Sequence, residues 1–252
     1  MPYNAFVWHE LITSDPQAAE AFYGSVVGWS GTPHGVGDYT LLGPADRKVA
    51  GLMAIPDDMR AAGGRPSWFG YVAVRDADAA AASFIAAGGR TLRPTMDIPD
   101  VGRIAALADP QGAMINVITP DGPDMPPVPR ETIGHVGWNE LMASDGPAAF
   151  DFYAGQFGWT KADAVDLGPM GIYQLFATGG EAVGGMMTKP EALPRPVWQF
   201  YLTVPSIDEA VARVKAGGGG LLMGPHEVPG GAWIANCIDP QGAHFSLTAA
   251  TR

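Results

Sequence analysis

The sequence is poor in cysteine, in basic residues and in long apolar runs. Its single cysteine, Cys237, has no partner for an internal disulfide, so we expect a reducing compartment, the cytoplasm. Its 15 Lys and Arg residues stand against 26 Asp and Glu residues, and the net charge of −11 disfavours nucleic acid as a partner. The chain has no run of roughly 18 apolar residues and no N-terminal signal segment, so we expect no membrane partner either.

Several familiar catalytic signatures are also missing. Gly-x-Ser-x-Gly, His-Glu-x-x-His and Cys-x-x-Cys do not occur. The glycine runs at 88–89 and 217–220 follow predicted helices, so they are interpreted as helix ends rather than phosphate-binding loops. Cys237 lies in an apolar stretch, which is typical of a packing residue rather than a nucleophile.

What the sequence does contain is a long internal repeat. Residues 8–11 return as 138–141, residues 14–29 as 144–159, and residues 109–113 as 239–243, each with a spacing of 130. A period of this length indicates two complete domains rather than solenoid units. Apolar residues make up 47% of the chain and charged residues 16%, which suits two well-buried cores.

Each copy is predicted to contain two β-α-β-β-β modules. In the first module a strand at 5–13 precedes a helix that begins after Asp15 and ends at Gly28, and short strands follow near 29–33, 39–42 and 49–54. In the second module a strand at 68–74 precedes a helix at 77–87, with Phe84 and Ile85 on its buried side, and strands near 90–92, 103–108 and 113–119. We therefore predict an α+β fold with domains at 1–119 and 134–252. The linker at 120–133 contains Pro120, Pro123, Pro126, Pro127 and Pro129 and should be stiff and extended.

Two motifs carry a family resemblance. The block from Asp15 to Trp29, its copy from Asp145 to Trp159, and the two Asp-Pro-Gln-Gly hairpins resemble the vicinal oxygen chelate superfamily. This superfamily includes glyoxalase I, bleomycin-resistance proteins and extradiol dioxygenases. The resemblance covers nearly the whole chain except the linker, and it implies four βαβββ modules forming two half-barrel glyoxalase-like domains in tandem, each with a ligand on its concave face. It leaves the chemistry open, because lyases, epimerases, dioxygenases and binding proteins share this scaffold.

The resemblance also implies where a divalent metal would be held. Metal-dependent members place one ligand on each first strand and one on each last strand, usually His, Glu or Gln. At the matching places this sequence has Trp8 and Trp138, Phe69 and Gln199, Asn116 and Ser246, and the glycine-containing segments 51–53 and 185–187. Trp and Phe have no lone pair for a metal, so we expect no metal or other cofactor. A metal held by Glu140, Gln199 and His244 would borrow its ligands from unusual positions, and the pattern argues against it.

Strand alternation predicts which side chains share each concave face. In copy one they include Trp8, Glu10, Phe69, Tyr71, Met114 and Asn116; in copy two they include Trp138, Glu140, Gln199, Tyr201, His244 and Ser246. A Trp, a Glu and a Tyr are kept in both. We predict that the pairs Glu10/Tyr71 and Glu140/Tyr201 each form a hydrogen bond, and that burial raises the pKa of the carboxyl groups. A purely structural hydrogen bond is the competing interpretation.

These residues support more than one function. The first hypothesis is a metal-independent protein that binds a small aromatic or cationic organic molecule, with Glu10 and Glu140 as counter-charges. The alternative is a lyase or dioxygenase-like enzyme in which Glu10 or Glu140 is the general base. The sequence leaves open whether one or both copies work, and whether the protein is a monomer or a homodimer.

Overall fold

The computed structural model describes residues 3–35, 37–122 and 128–252. Copy one contains β1 (Phe6–Thr13), α1 (Pro16–Val27), β2 (Ser30–Pro33), β3 (Thr40–Gly43), β4 (Ala50–Ala54), α2 (Asp57–Ala61), β5 (Ser67–Ala73), α3 (Ala77–Ala86), β6 (Arg90–Ile98), β7 (Gly102–Ala108) and β8 (Met114–Pro120). Copy two contains β9 (Val136–Ala143), α4 (Gly146–Phe157), β10 (Thr160–Asp166), β11 (Ile172–Ala177), β12 (Ala182–Thr188), β13 (Val197–Thr203), α5 (Ile207–Ala216), β14 (Gly220–Glu227), β15 (Trp233–Ile238) and β16 (His244–Ala249). The predicted order of four βαβββ modules is confirmed.

Each copy forms one eight-stranded sheet with the same topology. The strand order is β2-β3-β4-β1-β5-β8-β7-β6 in copy one and β10-β11-β12-β9-β13-β16-β15-β14 in copy two. Within a module the first strand pairs in parallel with the last, as β1 does with β4, and the other pairs are antiparallel. The first strand of each module therefore lies inside the sheet, next to the strand that ends its own module.

The ends of the long helices form where local chemistry places them. Asp15 accepts a hydrogen bond from the amide of Ala18 at 3.0 Å, with Pro16 in the first turn, and Gly28 ends α1 with φ of +83°. Asp76 caps α3 and Asp145 caps α4 in the same way. These caps satisfy amide groups that a helix leaves unpaired at its start.

The structure corrects two details of the sequence prediction. Ile85 is 55% exposed, whereas Phe84 is fully buried. The buried residues of α3 are Ala77, Ala81 and Phe84, which recur every three to four positions on one side of the helix, and Ile85 lies about 100° around the helix from Phe84. The strand predicted near residues 90–92 extends to Ile98 as β6. Of the predicted linker, Pro120 ends β8, and Pro123, Pro126 and Pro127 lie outside the described residues.

By packing, the chain divides into two compact units that do not coincide with the two copies. Among the described residues, the first unit comprises 3–7, 69–122 and 139–198. The second unit comprises Trp8–Trp68, Val128–Trp138 and Gln199–Arg252. Each unit thus combines one module of copy one with one module of copy two.

A buried tyrosine joins the two modules of each unit. In the second unit, the Tyr23 hydroxyl donates to Oδ2 of Asp239 at 3.1 Å and accepts from Nε1 of Trp68 at 2.9 Å. In the first unit, Tyr153 donates to Asp109 at 3.1 Å and accepts from Trp198 at 3.2 Å. The Phe-Tyr block of one copy and the Asp-Pro-Gln-Gly hairpin of the other are therefore bonded partners.

Candidate functional site

The site begins on β1, where alternation separates three consecutive side chains. Trp8 and Glu10 project from one face of the strand and His9 projects from the other. The ring of His9 packs against Phe200 with 4.7 Å between ring centroids. This buried packing agrees with a structural histidine rather than a ligand-facing one.

Glu10 is held by a tyrosine that lies just before β3. The Tyr39 hydroxyl donates to Oε2 of Glu10 at 2.9 Å, and the indole Nε1 of Trp8 donates to the same hydroxyl oxygen at 3.1 Å. Glu10 is 8% exposed, and Trp8 and Tyr39 are half-buried. The three side chains form a hydrogen-bonded chain in which the tyrosine hydroxyl orients the carboxylate.

A glycine on β4 makes room for this tyrosine. Gly51 is the register partner of Glu10 in the parallel β1–β4 pair. A Cβ built on Gly51 would lie 1.7 Å from the Tyr39 hydroxyl oxygen, which no real contact allows. Tyr39 can therefore keep its observed position only if residue 51 has no side chain.

The same arrangement recurs in the first unit. The Tyr173 hydroxyl donates to Oε2 of Glu140 at 2.9 Å, and Glu140 is 7% exposed. Gly185 is the register partner of Glu140, and a Cβ on it would lie 2.2 Å from Cζ of Tyr173. Both copies therefore keep a Glu, a Tyr and a Gly in the same geometry.

Burial sets the electrostatics of this arrangement. Desolvation raises the pKa of Tyr39 well above its usual value, and the nearby charge of Glu10 raises it further. The hydroxyl therefore keeps its proton and remains a donor. A carboxylate removed from water is costly unless it is hydrogen-bonded, and Tyr39 supplies that bond. The arrangement can present a fixed, desolvated negative charge beside the edge of an indole ring.

The tyrosines that hold the carboxylates were missed by the strand-alternation argument. Tyr71 and Tyr201, the predicted partners of Glu10 and Glu140, lie in the opposite unit from those carboxylates, so both pairings stay predictions. The signal for Tyr39 and Tyr173 was present, because they match each other with a spacing of 134. They were overlooked because they lie outside the first and last strands of the module.

The remaining predicted side chains lie on the second-module strands. In the first unit, Phe69 and Tyr71 lie on β5 and Met114 and Asn116 on β8, with Tyr71 opposite Asn116 in register. In the second unit, Gln199 and Tyr201 lie on β13 and His244 and Ser246 on β16, with Tyr201 opposite Ser246. Met114 and His244 are exposed and the other six are buried. Each set therefore lies on a pair of neighbouring strands, and its place on a shared concave face with the residues of the first strand stays a prediction.

Trp138, the counterpart of Trp8, has a basic neighbour in the second unit. The guanidinium carbon of Arg130 lies 6.0 Å from the centroid of its indole ring. The backbone oxygen of Arg130 accepts a hydrogen bond from Thr203 Oγ1 at 3.0 Å, which fixes this segment next to β13. A guanidinium group therefore lies near the indole ring of Trp138.

Two open cavities of the second unit lie away from these residues. One, of about 410 Å³, is lined by α1 and Trp29. The other, of about 470 Å³, is lined by the end of α1, residues 133–134 and Arg213. Neither is lined by a predicted site residue.

In the described part of the chain, no helix is long and apolar enough to cross a membrane.

Comparison with known families identifies the scaffold. Residues 132–247 match the family described as Glyoxalase/Bleomycin resistance protein/Dioxygenase superfamily, and residues 7–118 match the family described as Glyoxalase-like domain. The chain belongs to the glyoxalase superfamily. The superfamily resemblance inferred from the Asp15–Trp29 block and the hairpins is thereby confirmed for both copies.

Two relatives align with nearly the whole chain, through both copies. The chain is 31% identical over 244 residues to "Putative glyoxylase CFP32" of Mycobacterium tuberculosis, which covers 95% of this chain and 92% of the relative. It is 32% identical over 262 residues to "Anthracycline biosynthesis protein DnrV" of Streptomyces peucetius, covering 97% of this chain and 92% of the relative.

Solved structures agree with the fold. The Mn(II)-bound glyoxalase from Novosphingobium aromaticivorans superimposes with a TM-score of 0.68 at 16% identity, covering 100% of this chain and 83% of that chain. The 2,3-dioxygenase LapB from Pseudomonas sp. KL28 superimposes with a TM-score of 0.67 at 13% identity, covering 98% and 92%. At these identities the likeness concerns the fold alone.

One of these solved structures holds Mn(II), and the side chains of this chain offer few donors for such an ion. Gly51 on β4 and Gly185 on β12 occupy the same position in the two copies. Tyr39 and Tyr173 fill the space that a side chain at these glycines would need. Among the described residues no group of three or more His, Cys, Asp and Glu side chains is placed to hold a metal ion. His244, one member of the trio Glu140, Gln199 and His244, is exposed.

The side chains of Cys237 and Arg103 are engaged within the fold. Cys237 is buried, and burial raises the pKa of its thiol to about 12, which agrees with an inert packing residue. Arg103, on β7, donates to Asp78 at 2.6 Å and to Asp97 at 2.9 Å. Its guanidinium is already engaged by two carboxylates and lowers the pKa of Asp78.

Proposed function

We propose that this protein binds a small organic molecule with a planar aromatic part on the concave face that the glyoxalase fold implies, and that it does so without a divalent metal. The observation that carries the proposal is the repeated tyrosine–glutamate pair, Tyr39–Glu10 and Tyr173–Glu140, with Trp8 bonded to the first pair. A buried carboxylate held beside an indole ring supplies a counter-charge and a stacking surface together.

The relatives support the aromatic part of the proposal. Two of them, at 31–32% identity over nearly the whole chain, are named anthracycline biosynthesis proteins. Anthracyclines are planar polycyclic aromatic molecules, and stacking on an aromatic side chain is worth roughly 0.5–1.5 kcal/mol beyond area burial. The residues of this chain therefore suit a ligand of that general class.

The donor set supports the metal-independent part. The places where the superfamily has metal ligands hold Trp8, Phe69 and Asn116 in copy one, and Gly51 cannot be replaced by a liganding side chain while Tyr39 keeps its position. Indole and phenyl rings offer no lone pair to a divalent ion. These residues do not fit the metal of the Mn(II)-bound relative, and no step of the proposed function depends on one.

A second candidate function is general-base catalysis by Glu10 or Glu140, as in a lyase or dioxygenase-like enzyme. It is favoured by the position of the carboxylate, which is buried and oriented by a hydroxyl that keeps its own proton. Such a carboxylate can remove a proton from carbon next to a carbonyl group. The "Putative glyoxylase" name of one relative is consistent with chemistry of that kind.

Calorimetry with charged naphthalene probes tests the binding proposal. With 1-naphthylmethylammonium and 1-naphthoate, the carboxylates should make the protein bind the cation more tightly than the anion. The Glu10→Gln, Glu140→Gln double variant should lose most of that difference, while the exposed control Glu181→Gln should keep it. Tighter binding of the anion, or an unchanged preference in the double variant, contradicts the proposed role of the carboxylates.

Two further measurements separate the alternatives. Elemental analysis of purified protein should find no stoichiometric divalent metal, and a stoichiometric metal would overturn the metal-independent proposal. Incubation with dihydroxyacetone in D₂O, followed by NMR, tests general-base catalysis. Deuterium incorporation by the wild type that disappears in the double variant would favour the enzyme over the binding protein.

A further inference from the structure

The second module of copy two contains a polar cluster that copy one lacks. We define the β13–β16 cluster as Gln199 on β13, Asn236 on β15 and Ser246 on β16. These three residues lie in one compact unit, and Asn236 and Ser246 are register partners. The corresponding residues of copy one are Phe69, Ala106 and Asn116.

Alternation gives the direction of Gln199. Its neighbour Phe200 packs against His9 with 4.7 Å between ring centroids, so Gln199 and Tyr201 project from the opposite face of β13. This is the face on which the sequence places the ligand. Gln199 is 8% exposed, so its amide is almost wholly removed from bulk water.

Gln199 differs from its polar neighbours in having an unsatisfied atom. Ser246 Oγ donates to Asn236 Oδ1 at 3.2 Å, so the serine hydroxyl and the asparagine oxygen are paired. The Gln199 Oε1 atom is buried and accepts no hydrogen bond from any residue that the structure describes. Leaving such an acceptor buried without a donor costs roughly 1–3 kcal/mol, and native proteins normally satisfy these groups.

We propose that the amide of Gln199 binds a hydroxyl group of the ligand, and that this makes copy two selective for hydroxylated aromatic molecules. A hydroxyl can donate to the amide oxygen and can accept from the amide nitrogen, so it serves either end of the side chain. Copy one has Phe69 at this position and offers only an apolar contact. The inference rests on the proposed aromatic binding function and adds to it the polar group that is recognised.

Three neutral probes of the same shape test the inference: 2-naphthol, 2-methoxynaphthalene and naphthalene, titrated calorimetrically in the presence of EDTA. The methoxy compound can accept a hydrogen bond but cannot donate one. We expect the wild type to bind 2-naphthol roughly 5- to 100-fold more tightly than either of the others. In Gln199→Met, which keeps the length of the side chain without the amide, the three affinities should become equal within about twofold.

A matched control is available in the same unit. Gln241, in the hairpin before β16, also has a buried Oε1 that accepts no hydrogen bond from the described residues, but it lies in a turn rather than on the face of β13. Gln241→Met should keep the preference for 2-naphthol. A control that loses the preference as fully as Gln199→Met would overturn the assignment to Gln199.

The outcomes distinguish this inference from the function on which it rests. If the wild type binds all three probes equally, Gln199 is satisfied by water and the hydroxyl inference is wrong, while aromatic binding stands. If it binds none of them, the aromatic binding function and this inference both fail. The comparison within the wild type decides the first point even if Gln199→Met does not fold.

Discussion

Replacing Tyr23 by phenylalanine should destabilise the second unit more than any conservative surface change. The Tyr23 side chain is fully buried, and its hydroxyl joins Asp239 at 3.1 Å to the indole nitrogen of Trp68 at 2.9 Å. Phenylalanine keeps the ring and its aromatic contacts. The substitution therefore removes two hydrogen bonds and little else.

The magnitude follows from the two groups left behind. The Oδ2 atom of Asp239 loses its donor, and Nε1 of Trp68 loses its acceptor, both in buried surroundings. Leaving a buried polar group unsatisfied costs roughly 1–3 kcal/mol, and the two losses share one hydroxyl and do not simply add. We expect Tyr23→Phe to lower the free energy of unfolding by about 2–4 kcal/mol. For a chain of this size that corresponds to roughly 4–16 °C in Tm.

Guanidinium denaturation followed by far-UV circular dichroism measures this effect. The exposed Tyr3, which is 38% exposed and has Arg75 over its ring, provides the matched control, and Tyr3→Phe should change the free energy by less than about 0.5 kcal/mol. A loss below about 1 kcal/mol in Tyr23→Phe would show that the hydroxyl is not an essential link between the two modules. That result would refute the reasoning.

Three other predictions follow from individual side chains. Burial raises the pKa of the Asp239 carboxyl in the folded protein. The contribution of this acid to the free energy of unfolding is therefore fully present below its unfolded pKa of about 3.9 and is lost as the pH rises through its folded pKa. The free energy of unfolding of Asp239→Asn relative to the wild type should therefore increase between about pH 4 and pH 7 in denaturation curves; a decrease would contradict this. Cys237, with a thiol pKa of about 12, should react with iodoacetamide only after unfolding, and labelling of the native protein would show that it is accessible. Gly51→Ala should displace Tyr39 and lower the free energy of unfolding by about 1–3 kcal/mol in thermal melts, whereas Gly180→Ala, with nothing within 4 Å of its added carbon, should change it little; equal effects would contradict the steric argument.

The fold was predictable to a large extent because its signals are local. Asp15 and Gly28 mark the ends of α1 through a side-chain cap and a left-handed backbone, and both depend on the residue type alone. The hairpin Asp109 likewise bonds the amides of its own turn, Gln111 and Ala113. The repeat then showed that each such signal occurs twice. A 3.6-residue period could not decide that Ile85 is exposed, because the apolar stripe of a helix can include two consecutive residues, as it does for Phe22 and Tyr23 in α1.

The candidate site was predicted only in part. Period-two alternation correctly placed Trp8 and Glu10 on one face of β1, because that relation lies within a single strand. The contact of Glu10 with Tyr39 was not predicted, because Tyr39 approaches from the segment before β3 through the space left by Gly51. A contact of this kind depends on strand register and on a missing side chain, which no local pattern reports.

The sequence by itself determined the four modules, the family and the retention of a tryptophan and a glutamate in both copies. Only the tertiary structure decided which groups these residues bond. It placed Tyr39 against Glu10 and Tyr173 against Glu140, left the buried Gln199 oxygen without a donor among the described residues, and joined Tyr23 to a hairpin 216 residues away in the chain. The physical reason is the separation of the interacting residues along the chain. Helix caps and strand alternation depend on residues a few positions apart, whereas the partner of a buried hydroxyl is set by the packing of segments that are distant in the sequence.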